Sequence, residues 1–469
     1  MEKIITDIYN IIKRTENLID LEEDIKTYMF KLFSDVLGDV FTQIDRGMKE
    51  KKRNEGWTVV RSDNKTVHFT FGPITFSHTS MRDKKGICRY PFDEWLGIEK
   101  HQRYSALVEV KVAEMVTEMD YRETARVLSE WTAVEMSHGT VGNIVKRVGA
   151  AQATADQKMV EELDIADHLP EGKEVDHLFA EADGVFIRST QKGKGLEVSQ
   201  AIIYEGWALN GKRVSLKDPT VIMTSKPTAI FWDEVQAITA HKYSLEHTQV
   251  VTNSDGGKGY TAEKFQAAFS QSTKEVFNQL DAYHITQALT RTFGAQSSDY
   301  KVKVRQAIES HDFGAFKLWM DTYESTLLDD KKIDQLIKFR KYIENNWDRI
   351  FDWRSKVEKA PDGARTLGAM ESNQRRISFR MKRRGMRWGQ SGGLGMVKII
   401  QGKANGTLRD AYLNNRGLSD RKKRMIKQSI RMSYYLSQPT RPSIGAKQGS
   451  VSLYVAHSTA VGNLLKSMR

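Results

Sequence analysis

Three acids at wide separations carry the chemistry that this sequence offers: Asp183, Asp255 and Glu371. Asp183 interrupts an otherwise apolar run, Leu178, Phe179, Ala180, then Val185, Phe186, Ile187. An ionised carboxylate in such a run is costly unless it is paired or bound to a metal ion. The alternative is a turn, because Asp183-Gly184 is also a hairpin dipeptide. Asp255 closes a second strand-like run in VVTNSDGGKGY, at the place where α/β sheets put ligands. Asp-Gly-Gly is equally a plain turn sequence. GGKGY lacks the spacing of a phosphate loop and the Ser or Thr after its Lys. Glu371 heads a segment, GAMESNQRRISFRMKRRGMRW, in which Arg375, Arg376, Arg380, Lys382, Arg383, Arg384 and Arg387 follow it.

Two strand-borne aspartates and a helix-borne glutamate can converge on a pair of Mg²⁺ or Mn²⁺ ions. Such hard ions take carboxylate oxygens and keep water and phosphate oxygens as their other ligands. A pair of them activates a nucleophile and stabilises the leaving oxygen of a phosphodiester. Asp281 and His284, at i and i+3 in QLDAYHITQAL, form a further candidate group. His284 could position DNA or a water, or the two residues form a local helix cap. Glu181 shares a strand face with Asp183 and competes with it for the role of first acid. Trp388 could stack on an unpaired base, or fill a core.

The elements that must position these residues follow from periodicity. Residues 1 to about 53 read as amphipathic helix, long enough to pair with a second copy, and a homo-oligomer is expected. Residues 57 to 80 alternate as a small antiparallel β unit. Between 103 and 148 lie two short helices, a tight link and a third helix that Ser137 caps. That order describes a helix-turn-helix, with Thr140, Asn143, Lys146 and Arg147 facing DNA. It also describes any three-helix packing unit. A helical connector over 151 to 170 leads to strands at His177–Ile187, Val198–Leu209, Val214–Thr224 and His247–Ser254, and a short one at Val276–Leu280. Helices fall near 230–241 and 261–269. Strands in a run, then alternating with helices, predict an α/β fold with a mixed sheet. From Thr292 to about Arg354 the chain reads as helix. On the Glu371 helix an α period puts Arg376, Arg380 and Arg383 on one stripe, and Arg375, Arg384 and Trp388 complete the basic face expected to hold DNA.

The totals agree with a polyanionic partner. The chain has 469 residues, 72 Lys and Arg against 60 Asp and Glu, a net charge of +12 and a pI of about 9.3. A basic excess of that size suggests nucleic acid. The one cysteine, Cys88, allows no disulfide within the chain and no Cys-based zinc site. No signal-peptide pattern opens the sequence and no apolar run approaches the ~20 residues that span a bilayer. A cytoplasmic protein of the bacterial nucleoid is therefore expected, with no membrane partner. The implied organisation is an N-terminal helical region (1–55), a small β unit (56–98), the helix-turn-helix (99–150), a core in two parts (171–291 and 361–408) around a helical insertion (292–360), and a basic tail (409–469).

The strings ADGVFI, TNSDGGKGY and GAMESNQRRISFRMKRRGMRW resemble the DDE transposases of the Mutator-like superfamily, and more closely the ISLre-two insertion-sequence family. QLDAYH is similar to that superfamily's Cys/Asp-x-x-His motif, and YPFDEWLGI extends the likeness toward the N-terminus. The resemblance implies a ribonuclease-H-like catalytic core interrupted by a helical insertion. It also implies binding of terminal inverted repeats and metal-dependent strand cleavage and strand transfer, with Asp183, Asp255 and Glu371 as the triad. The alternatives are a non-catalytic DNA-binding regulator and a structure-specific nuclease on the same core.

Overall fold

The computed structural model describes residues 2–211, 213–294 and 299–417. The basic run Arg416 to Arg431 and the prolines at 439 and 442 therefore lie almost wholly outside the described residues. One compact unit holds the described parts of Met1–Gly38, Lys65–Phe76 and Gly97–Asp420; another holds Asp39–Asn64 and Ser77–Leu96. Helices α1 (Glu2–Arg14) and α2 (Leu18–Asn54) open the chain, and strands β1 (Thr58–Phe69), β2 (Gly72–Arg82) and β3 (Cys88–Arg89) make a three-stranded sheet, followed by α3 (Pro91–Leu96). Within the smaller unit the Asp45 carboxylate takes the Thr79 N–H at 3.0 Å and its hydroxyl at 2.6 Å, which satisfies a buried acid.

In the larger unit come α4 (Ala106–Met115), α5 (Tyr121–Trp131) and α6 (His138–Asp164). Asp120 and Ser137 cap α5 and α6 through their side chains. The expected short third helix and separate connector are one helix of 27 residues. Its apolar stripe, Val141, Ile144, Val145 and Val148, continues into Ala151 without a breaker, and nothing in the sequence stops it.

The next strands are β4 (Lys173–Glu174), β5 (His177–Arg188), β6 (Gly195–Tyr204), β7 (Trp207–Asn210), β8 (Arg213–Leu216), β9 (Thr220–Thr224), β10 (Tyr243–Ser244), β11 (Gln249–Ser254) and β12 (Phe277–Leu280). Five of them form a mixed sheet in the order β12-β11-β5-β6-β9. β5, β6 and β9 pair antiparallel, whereas β11 runs parallel to β5 and β12 parallel to β11. The long second and third strands expected from the sequence are each divided. Gly206, at φ +129°, turns the chain out of β6 into the separate β7-β8 pair, a conformation that a side chain disfavours. The mixed α/β class is thus as expected.

Helices cover both faces of this sheet: α7 (Thr228–Lys242), α8 (Ala262–Ala268), α13 (Ala369–Ile377), α14 (Gln390–Asn405) and α15 (Leu408–Asn415). Side chains alternate along β5. Leu178, Ala180 and Ala182 pack with Phe231, Val235 and Phe265 of α7 and α8. Phe179, Val185 and Ile187 pack with α6, α13 and α14 through Val145, Val148, Ile377 and Met396. α6 and α14 approach so closely that a Cβ on Gly149 would meet the Gly395 carbonyl oxygen at 2.3 Å. Between them and α7, the fully buried Lys398 ammonium is held by Asp156 at 2.6 Å and Glu234 at 2.7 Å. Helices α9 (Ala282–Phe293), α10 (Asp299–Glu309), α11 (Phe313–Glu324) and α12 (Asp330–Glu344) form the expected insertion, with a core of their own around Leu289, Phe316, Phe339 and Ile343.

Candidate active site

Asp183 stays inside β5, paired with Gln200 of β6, so the turn reading of Asp183-Gly184 does not hold. The parallel register matches Asn253 of β11 to Glu181 and Ser254 to Leu280 of β12. Continued by one or two residues, it brings Asp255 level with Asp183 and with Asp281. Neighbouring strands lie ~4.8 Å apart, so three aspartates form a row where β11 and β12 end. Burial, and then the adjacent Asp255 carboxylate, push the Asp183 carboxyl up to about 6. Burial likewise raises the Asp281 carboxyl.

Glu181, the competing acid, has a different task. Its side chain is buried on the same face and takes the N–H groups of Gly368 (3.1 Å), Ala369 (2.9 Å) and Met370 (3.2 Å), which open α13. The Tyr204 hydroxyl and the Asn253 amide also donate to it. A carboxylate on a helix N-terminus is favourably placed, and here it pins α13 against β5. Glu181 is a structural anchor.

α13 carries Glu371 in its first turn, exposed, and Gln374 one turn on. Gln374, not Glu371, reaches the row: its side-chain amide donates to Asp183. Among the described residues no group of three or more His, Cys, Asp or Glu side chains is arranged to hold a metal ion. The sequence-expected trio therefore forms only in part. Asp183 and Asp255 come together; Glu371 lies on the helix that contacts them but does not join their ligand set. The donor chemistry of the pair still fits a divalent ion, which commonly sits on one or two carboxylates plus water and phosphate.

His284 is half-buried, its Nε2 3.9 Å from Asp281, and Asp281 caps α9 by accepting from the Tyr283 N–H. A cleft of about 280 Å³ opens beside them, lined by Asp255, His284, Gln287, Arg291, Lys338 and Tyr342. Arg291 and Lys338 are exposed and put two cations at its mouth. Arg349 donates to Ser254 at 2.8 Å and Tyr342 to the Asp255 carbonyl at 3.1 Å, which tie the insertion to the end of β11. None of Gln374, Arg291, Lys338, Tyr342 or Arg349 was legible in the sequence. A Gln one turn after an acid is the one signal that could have been found.

The residues expected to hold DNA are dispersed. Arg375, Arg376 and Arg383 are exposed. Arg384 is exposed too, but donates to the Glu118 carbonyl at 2.7 Å and lies over the Phe379 ring. Arg380 leaves the stripe. The α13 helix passes into a π turn, Ser378–Lys382, whose wider period rotates Arg380 inward. There it is buried at 1% exposure and donates to the Val116 carbonyl. Trp388 is also a core residue, 5% exposed, with its indole N–H on the Met381 carbonyl at 3.1 Å, which rules out open stacking on its faces. On α6, Asn143 and Lys146 are exposed and Thr140 half-buried, whereas Arg147 turns back onto the buried Glu109.

A family model described as "Uncharacterised protein family (UPF0236)" matches residues 12–416. The chain belongs to this family. A UPF0236 protein of Streptococcus gallolyticus, named for a vanSb 3′ region, is 30% identical over 88% of this chain and 88% of its own length. One UPF0236 protein of Caldanaerobacter subterraneus subsp. tengcongensis is 24% identical over 92% and 89%. Another from that organism is 24% identical over 92% and 84%. The resemblance to DDE transposases of the ISLre-two family is corrected by these matches, which place the chain in UPF0236 and name no transposase. No helix among the described residues is long and apolar enough to cross a membrane.

Proposed function

We propose that this UPF0236 protein acts on DNA, cleaving phosphodiester bonds and transferring strands with the help of divalent metal ions. The observation that carries the reading is the side-by-side placement of Asp183 and Asp255 on adjacent parallel strands, with a helix from late in the chain closing on Asp183. The sheet supports it further. Numbered within the core alone, its order is 5-4-1-2-3, with three antiparallel strands followed by two parallel ones, which favours a ribonuclease-H-like core.

In this reading Asp183 and Asp255 hold Mg²⁺ or Mn²⁺, which lowers the pKa of a bound water and offsets charge on the leaving oxygen. Arg291 and Lys338 receive the phosphates that flank the scissile bond. His284 orients the strand or a water beside Asp255. The net charge of +12 and the exposed Arg375, Arg376 and Arg383 extend the polyanion surface. Glu371 completes the ligand set only if α13 turns its first residues toward Asp183. The name of one Caldanaerobacter relative joins eleven labels and another joins four. Many labels for one product in one organism suit a gene that multiplies with its own DNA. Binding to the ends of such a segment is part of the proposal.

A non-catalytic DNA-binding protein is the second reading, favoured by the neutral Gln374 on Asp183. Purified protein incubated with its flanking repeat DNA and Mg²⁺ or Mn²⁺ separates the two. Mapped nicks and joined products support the proposal. Nicks alone leave a nuclease, and binding without either leaves the second reading.

A further inference from the structure

A second cleft lies away from the aspartate row, where the start of α6 meets the segment after α13. It measures about 740 Å³, and its lining includes Tyr121, Lys146, Arg380, Met386, Arg387 and Trp388. Tyr121 and Met386 are half-buried and, with the edge of Trp388, give it an apolar floor. Arg380 lies in that floor, its guanidinium 5.9 Å from the Tyr121 ring centroid and 5.3 Å from that of Trp388. Burial lowers its pKa, yet among the described residues no carboxylate lies within ion-pair distance of it. Asp120, on the same rim, is engaged as the cap of α5 through the Arg122 and Glu123 N–H groups. A buried cation without a counter-ion is costly, and an anion entering the cleft would relieve that cost. Lys146 and Arg387 are exposed at the rim and add to the same charge.

We infer that this cleft takes one unpaired nucleotide of a DNA strand, with its base on the Tyr121–Met386 floor and its phosphate toward Arg380, Arg387 and Lys146. Apolar floor and cationic rim match the two halves of a nucleotide, as single-strand binders combine stacking surfaces with basic grooves. Trp388 pairs with Ser189 at the far end of β5, six residues beyond Asp183. At ~3.3 Å per residue the two places are ~20 Å apart, within reach of one strand. The inference rests on the proposal that the protein works on DNA.

Gly392, at the cleft wall, offers the test. A Cβ there meets no atom within 4 Å, so Gly392→Leu projects into the cleft, and Leu is the better helix former. A short single-stranded oligonucleotide carrying 2-aminopurine is titrated in EDTA, so that no cleavage occurs. Wild type should quench the probe; Gly392→Leu should bind it at least tenfold more weakly with an unchanged melting temperature. Arg387→Gln should weaken it severalfold. Gly47→Leu, at another helical glycine with open space around it, serves as the control and should behave as wild type. Wild-type affinity in Gly392→Leu overturns the inference. So does competition by free mononucleotides at equal concentration, which makes the ligand a free nucleotide, or tighter binding of the RNA version. Quenching by a protein that never nicks DNA removes the proposed function and leaves the cleft assignment standing; nicking by Gly392→Leu at the wild-type rate with wild-type probe binding does the reverse.

Discussion

Gln374 donates its side-chain amide to the carboxylate of Asp183. The helix that bears Glu371 therefore meets the aspartate row through a neutral residue. Gln374→Glu would put a third carboxylate there. It should raise Mn²⁺ affinity about tenfold, a gain of ~1.4 kcal/mol, and lower the melting temperature in EDTA through like-charge repulsion. Titration calorimetry and thermal unfolding with and without Mn²⁺ check both. Unchanged affinity would place the ion elsewhere.

Asp183→Ala and Asp255→Ala should each reduce metal-dependent nicking by at least a thousandfold, while binding to the DNA ends stays within about threefold, since phosphate contacts come from the basic surface. Gel-shift and nicking assays on the same preparations decide this. Residual strand transfer in either variant would remove that residue from the chemistry. Glu371→Ala tests whether α13 turns during catalysis: loss of nicking with intact binding is the expected outcome.

The Asp183 carboxyl titrates near 6 in the folded protein against a model value of 3.8. A raised carboxyl keeps its proton longer when folded than when unfolded. Stability is thus greatest below pH ~4 with respect to this group, falls as pH rises toward 6, and stays reduced above it. Asp183→Asn should raise stability at pH 8 by roughly 1–3 kcal/mol and leave it unchanged near pH 3.5. In wild type, metal and proton compete for one site, so Mn²⁺ affinity should climb from pH 5 to 7 and then level off.

Lys398 sits between two buried acids. Lys398→Met leaves Asp156 and Glu234 without their cation and should cost about 3–5 kcal/mol. Denaturant unfolding measures it. Adding Asp156→Leu and Glu234→Leu should recover most of the loss, whereas no recovery would mean that the ammonium matters for packing alone.

The strand-and-helix sequence of the core was readable because β5, β11 and the long helices carry clean apolar periods with few breakers. Asp183 and Asp255 could be found for the same reason: an acid inside or at the end of an apolar run stands out. Glu181 could not be assigned from its neighbours, because its partners, the N–H groups at 368–370, lie 187 residues and more away in the chain. Arg380 was misplaced because one π turn changes the phase of a helix by a fraction of a turn, and no residue type marks it. Arg291 and Lys338 became visible only when α9 and α12 folded beside β11.

Glu181 also has an architectural consequence. Because α13 is seated by a side chain of β5, its landing point does not depend on the path taken from β12. The stretch from α9 to α12 has its own core and needs only to return the chain to that seat. Relatives should therefore tolerate wide changes of length between residues 295 and 366, and a graft of foreign sequence there should leave the seat occupied.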